Sequence, residues 1–386
     1  LAFGGQQTDT TAEPANNAAS GDNAVSFGER TAASGSNATA FGQGTKATEK
    51  RATAFGQRTQ ATQSNATAFG IDTLASGQNA TAFGNLTQAT QIGATAFGNK
   101  NQATGQYATA WGGGDKVVDN GDGTTSKIGT AASGTYATAF GERTLASGES
   151  ATAFGSDSTA SGKNSLAFGE NSMAAAENSL AALGGIVDET ATNAAAIGNG
   201  AQAKLADSIA LGSGALANRS SGSKGYDVLT GEAATETSAA WVSKANAIAI
   251  GNDTEGSLLT RQITGVAAGS LDTDAVNVAQ LKAAGLGFTT NTKDASNTKE
   301  NYKGYKVVKR SLGDTIAIKA SDEADGHSYS KANLTTRIAE NGDISILMDE
   351  KPTFTTVTTG DVIYTGNPDK KDNEGKAAQA DTSVHY

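Results

Sequence analysis

The chain has 386 residues and a formal net charge of -10, with 48 Gly, 3 Pro, 2 His and no Cys. The acidic balance disfavours nucleic acid and anionic membrane surfaces, both of which attract a basic face; the lack of Cys excludes disulfide staples, thiolate metal sites and reactive thiols. Hydrophobic residues make up 37%, but so many are Ala that one large Leu/Ile/Phe core is excluded, although the length allows two or three domains.

The chain opens on Leu1-Ala2-Phe3-Gly4, a fragment of a phrase that returns throughout. Nothing there follows the signal-peptide pattern, and no run approaches a transmembrane helix. With the charged ending Asn367–Lys376, this reads as a piece of a longer protein.

From Asn37 the phrase Asn-Ala-Thr-Ala-Phe-Gly recurs at Asn65 and Asn79. The residue before its Gly falls at Phe41, Phe55, Phe69, Phe83, Phe97 and Trp111, each fourteen after the last, and the phase resumes at Phe140, Phe154 and Phe168. After a one-residue slip it continues at Leu183, Ile197 and Leu211, and returns at Ile250. A fixed short period means a repeat architecture. Fourteen residues are too few for a helical pair. Gly in every repeat opposes a coiled coil, and Gly at every third place, as in collagen, is absent. Two short strands joined by two tight turns do fit, so each phrase predicts one coil of a β-solenoid, stacked at ~4.8 Å. The ladder from Phe41 to Ile250 is expected to stack in its core. That core is lean, so further apolar surface is expected to be buried between chains.

Two segments interrupt the repeats, near 112–135 and 218–241. In the first, Lys116–Asp119 and Thr124–Lys127 read as a hairpin about an Asn/Asp/Gly turn, whose spacing does not match an EF-hand loop. The second is polar and Gly-rich and reads as a surface loop that contacts a neighbouring chain or a ligand, or is decoration.

From Arg261 to Lys282 the pattern changes. Leu271, Ala275, Val278 and Leu281 share one helical stripe, and Asp272 and Asp274 suit a helix N-terminus. The helix is about three turns long, unstable alone, and its stripe needs partners.

The segment Arg261–Lys282 (RQITGVAAGSLDTDAVNVAQLK) resembles the neck of trimeric autotransporter adhesins, and the fourteen-residue phrases resemble their YadA-like head repeats. The likeness spans roughly residues 1–284. It implies a homotrimer of left-handed parallel β-rolls, a neck narrowing towards a coiled-coil stalk, and a separate C-terminal β-barrel as the only membrane anchor. It places the head at the cell surface of a Gram-negative bacterium, attached to an extracellular matrix protein, host receptor or other surface. Residues 1–260 are then head, 261–284 neck, 285–365 a β-rich connector resembling the GIN type, and 366–386 an exit segment.

In the connector, strands are legible at Tyr305–Val308, Thr315–Lys319, Leu334–Ile338 and Ile344–Met348, with a further one in residues 354–366. No Trp follows the neck, which counts against a Trp-ring connector.

Nothing reads as catalytic and no cofactor or metal is expected. His327 and His385 lie in polar stretches, and no Ser/His/Asp set, zinc spacing or P-loop appears. Asn-Ala-Thr at Asn37, Asn65 and Asn79 matches the glycan acceptor pattern but is simply explained as a turn Asn before a strand Thr. Adhesion by a trimeric fibre leads. Ice or ordered-surface binding by Thr rows is the runner-up, and a passive spacer is the third reading. Relatives that bind collagen carry head motifs of the Asn-Ser-Val-Ala-Ile-Gly kind; the nearest strings start at Asn164-Ser165 and at Asn246, marking these three as a possible ligand surface.

Overall fold

A computed structural model describes residues 1–3, 17–119, 125–228 and 230–293, and beyond them 305–311, 323–324, 327–328, 334–338, 344–348, 350, 352, 356–359 and 362–365. The chain divides into two compact units: Leu1–Gly265 with Leu271–Asp274, and Val266–Ser270 with Ala275–Tyr386.

The first unit is a parallel β-solenoid. The coil beginning at Asn65 shows why. Alternation along the strand Thr67–Ile71 sends Ala66 and Ala68 inward and Thr67 and Phe69 outward. Beyond Gly70, Asp72 takes a left-handed backbone (φ 53°) and turns the chain. Leu74–Ala75 then forms a short strand, and Asn79 (φ 59°) makes the second turn. The next coil repeats this in register, with Thr67 opposite Thr81, Phe69 opposite Phe83 and Leu74 opposite Gln88. Among the described residues the result is one sheet of 15 strands and a second of 14. The turns are laddered as well: Asp72 N donates to Gln57 O (2.9 Å) and Asn79 N to Ser64 O (3.0 Å). Backbone polar groups are thus satisfied right round the coil.

The interior is almost entirely methyl groups. Ala66, Ala68 and Ala75 are fully buried, as are their equivalents along the solenoid. In many coils a Thr is buried with them, and in three successive coils its hydroxyl donates to the next: Thr59 to Gly70 O (2.8 Å), Thr73 to Gly84 O (2.9 Å) and Thr87 to Gly98 O (2.8 Å). Only small side chains fit between walls this close. Gly70 shows how tight the stack is. A Cβ there would stand 1.8 Å from Gly84 O, at a φ of 135° closed to other residues.

The interruptions leave the register intact. Trp111 pairs directly with Phe140, and Gln102 with Ala131. Between them Lys116–Asp119 and Thr125–Ile128 form an antiparallel pair, one residue later in the second strand than the sequence suggests. The expected turn of this hairpin lies outside the described residues. The second insertion carries a two-residue ladder, Tyr226–Asp227 with Glu232–Ala233, and its described residues are largely exposed.

The slip falls elsewhere than expected. Ala182, fourteen residues after Phe168, takes the ladder place and pairs with Phe168 and Ile197. The extra residue enters between Ala182 and Ile197, where Met173 pairs with Ile186 and Ile186 with Gln202.

In the second unit the helix is Val278–Ala283, shorter than the three turns expected. Asn277 caps it, so Leu271 and Ala275 lie outside it and no acidic residue occupies its first turn. The reason is local. Asn277 and Gln280 form a capping box, with Gln280 N donating to Asn277 Oδ1 (2.9 Å) and Asn277 N to Gln280 Oε1 (3.3 Å). Beyond it, Gly285–Lys293 pairs antiparallel with Tyr305–Ser311, Leu334–Ile338 with Ile344–Met348, and Thr356–Thr359 with Val362–Thr365. The strand expected at Thr315–Lys319 lies outside the described residues, as does His385.

Candidate functional site

No cleft with catalytic character occurs among the described residues, and none of their His, Asp and Glu side chains group in threes to hold a metal. The candidate sites are therefore surfaces, and the repeat builds them as columns.

The first column is aromatic. Phe27, Phe41, Phe55, Phe69, Phe83 and Phe97 stack with centroids 4.6–4.8 Å apart and planes within 9°. Trp111 is tilted against both neighbours, at 4.6 Å from Phe97 and 5.8 Å from Phe140, and Phe140, Phe154 and Phe168 resume the stack. This ladder is not the core. Phe69 is 40% exposed and the other rings comparably so. Strand alternation that buries Ala68 must expose Phe69, and the alanine interior has no room for a ring. After Phe168 the column continues through Ala182, Ile197 and Leu211. Leu183 is not part of it: at φ 56° and 63% exposed, it stands in the turn. Ile250 lies just beyond the pairing of Ile209–Ala210 with Ile248–Ala249. Leu183, Ile197, Leu211, Ile250 and Ile263 line an apolar groove of about 500 Å³. Arg261 closes one side, donating to Ile250 O and Ser213 O. Phe27 also belongs to the ladder; its place fourteen residues before Phe41 was the available signal.

The turn columns are polar. Asn65 Nδ2 donates to Asn79 Oδ1 (3.0 Å), and Asn164, Asn178, Asn193 and Asp207 continue such a ladder at 3.0–3.2 Å. On the other rim Arg58 pairs with Asp72, and Arg143 holds Asp157 through two hydrogen bonds (2.6 and 3.0 Å). The hydrogen bonds from Arg58 hold the Asp72 carboxyl below its usual range, and Arg58 is raised in return. Arg143 is raised chiefly by its hydrogen bonds to Asp157.

The three residues proposed as a ligand surface separate. Asn164 is exposed in the Asn ladder. Ser165 is buried (2%), its hydroxyl donating to Gly162 O (2.6 Å), because it faces inward in its coil. Asn246 tethers the second insertion, accepting from Ser221 N (2.7 Å) and donating to Ala206 O (2.6 Å). Ser165 is thus not available to a ligand, while Asn246 is half-buried with both ends of its amide engaged within the chain. Leu271, Ala275, Val278 and Leu281, expected to form the trimerisation stripe of a neck, are all exposed in the single chain. Gln280 also bridges to Gly269, accepting from its N (2.9 Å) and donating to its O (2.8 Å), while Asn277 donates to Val266 O (3.2 Å). Sequence reading missed these roles, although the Asn277-x-x-Gln280 spacing signals the cap.

A sequence model of the YadA head domain repeat matches residues 19–45, 47–73, 75–101, 89–114, 132–158, 160–182 and 190–215. A model of the coiled stalk of trimeric autotransporter adhesin matches 262–304. The autotransporter adhesin BadA of Bartonella henselae is 53% identical over 68 residues, which is 18% of this chain and 2% of that protein. The trimeric autotransporter adhesin AtaA of Acinetobacter sp. (strain Tol 5) is 39% identical over 90 residues, 23% of this chain and 2% of that protein. The chain thus spans about 2% of the length of these curated relatives. The crystal structure of the collagen-binding domain of the Yersinia adhesin YadA aligns over 55% of this chain and 85% of that one, at 26% identity and a TM-score of 0.33. With head repeats followed in order by the stalk match over more than half of its length, the chain belongs to the trimeric autotransporter adhesins, as an adhesin head.

Proposed function

We propose that three copies of this chain pack their first sheets together and present their other faces outward as a multivalent attachment surface. The observation that carries this is the aromatic column from Phe27 to Phe168, continuous and about two-fifths exposed in one chain. A stripe of that length on a solenoid filled with Ala marks an interface. Alanine methyls bury little area per coil, so the single chain is short of apolar burial that the rings supply between chains. In the proposed neck, Leu271, Ala275, Val278 and Leu281 are exposed and supply further apolar side chains for contact between chains. Residues 1–260 serve as the head, 261–284 as the neck, 285–365 as a GIN-like connector and 366–386 as the exit segment.

The chain is an extracellular passenger segment of an outer-membrane adhesin, and it works by attachment without enzymatic chemistry. Its partner is a matrix protein, a host receptor or another surface. Three copies of each column, repeated coil by coil, let weak contacts add through effective concentration. The outward neighbours of the Thr row are Phe rings, so the first sheet lacks the flat Thr-x-Thr array of an ice binder.

Light scattering tests the assembly. A mass of three times 38.6 kDa is expected for the whole chain, and a lower mass for residues 1–260 if the neck drives assembly. A monomer of the whole chain at micromolar concentration sinks the trimer. Attachment is checked by comparing cells displaying the fibre with and without residues 1–260; unchanged attachment would leave the head a spacer.

A further inference from the structure

On the rim that precedes each first-sheet strand, one residue per coil has a left-handed backbone. Small or flexible polar residues usually fill it, as at Asn37, Asn65, Asn79, Ser150, Asn164 and Asn178. Two adjacent coils break the rule with Tyr107 (φ 57°) and Tyr136 (φ 59°). A bulky ring at positive φ is disfavoured, whereas Asn tolerates it. The coil before them has Gly93, where a Cβ would stand 2.5 Å from Tyr107 Cδ1, so the glycine clears space for the ring. The two rings lie parallel, 5.3 Å apart and 6° between planes. They are 48% and 58% exposed. Neither phenol oxygen has a hydrogen-bond partner among the described residues. The inserted hairpin leaves from the opposite rim, after the strand Thr109–Gly113.

Unfavourable backbone held in two successive coils, with a glycine making room, points to a use for the rings. We propose that Tyr107 and Tyr136 form a binding platform for a neutral carbohydrate. Tyr136 is 58% exposed, and the equivalent place in the next coil is held by the small Ser150, which leaves room for the flat C–H face of a sugar ring to stack on the tyrosine. The free phenols, Gln78, Gln106 and Thr135 supply donors and acceptors for sugar hydroxyls. A proline-rich peptide needs a groove between aromatic ridges, and rings stacked face to face leave none. An acidic glycan needs cations, and this rim carries none between Arg51 and Lys163, the latter paired with Glu149 (3.2 Å). The proposal names the ligand class of the adhesin reading above and rests on it for multivalency.

The test uses the whole chain with cellohexaose, maltohexaose and chitohexaose as probes, and heparin and a proline-rich peptide as comparators, read by saturation-transfer NMR and calorimetry. Tyr107→Asn with Tyr136→Asn restores the residue usual in this column, so folding and thermal midpoint are expected to hold or rise. At least one neutral oligosaccharide is expected to bind, with affinity falling tenfold or more in the double variant. The proposal is overturned if no neutral probe binds, if the double variant binds equally well, or if only heparin or the peptide depends on the two tyrosines. A lower assembled mass in the double variant also overturns it, since the rings would then be an interchain contact. Monomeric protein that still binds the oligosaccharide through these tyrosines would sink the trimer and leave the platform standing.

Discussion

Gly70 and Gly200 carry the same residue under opposite constraints. A methyl at Gly70 meets the carbonyl oxygen of the next coil at 1.8 Å, while one at Gly200 meets nothing within 4 Å. Gly70→Ala is therefore expected to cost about 4 kcal/mol or more, by forcing two coils apart. Gly200→Asn, at φ 69°, should cost under about 1 kcal/mol. Thermal and urea unfolding of the chain checks both, and equal costs would refute the tight-stack account. The Arg58–Asp72 pair sets a pH dependence. Because Asp72 is held below its ordinary value of 3.8, its stabilisation is present above that pH. It is lost as pH falls through the lower folded value. Asp72→Asn should lower the thermal midpoint at pH 7, and the gap to wild type should close in acid. A gap that persists unchanged would mean the pair contributes nothing through charge. The pair is exposed, so the effect should be small and shrink with salt.

At the scale of the element, the coil is the unit and tolerates excursions only where it turns. The hairpin enters at a turn, and Trp111 meets Phe140 as if it were absent. Excising residues 115–129 joins Gly114 to Thr130 and restores the spacing of fourteen. The shortened chain should keep its β circular-dichroism spectrum. Loss of the surface Lys100–Asp115 pair should cost at most about 1 kcal/mol. Collapse of the spectrum would show that the hairpin nucleates the coils around it. The aromatic column responds differently. Phe69→Ser with Phe83→Ser removes rings that the single chain leaves two-fifths exposed, so the solenoid should survive. The trimer should dissociate at micromolar concentration, as read by light scattering beside circular dichroism. A stable trimer in that variant would place the interface on another face.

At the scale of the whole molecule, a solenoid sums nearest-neighbour terms and has no single centre to protect. Its stability should depend on how many coils it has and on how many chains share the aromatic column. If three chains associate, the thermal midpoint of the whole chain should rise with protein concentration by mass action. A midpoint independent of concentration over a hundredfold range would argue that each chain is stable alone.

The fourteen-residue period, the strand-turn grammar, the two insertion points and the capping-box spacing were determined by the sequence, because each depends on neighbours within one coil or one helical turn. So was the existence of a ladder at Phe41, Phe69 and their equivalents. Which side of the wall the ladder occupies was decided by tertiary structure, because two walls filled with alanine close too tightly to admit a ring. The same closeness buried Ser165 and moved the slip past Ala182. The pairing of Tyr107 with Tyr136 also belongs to the fold, since the hairpin separates them in sequence while the coils stack them 5.3 Å apart.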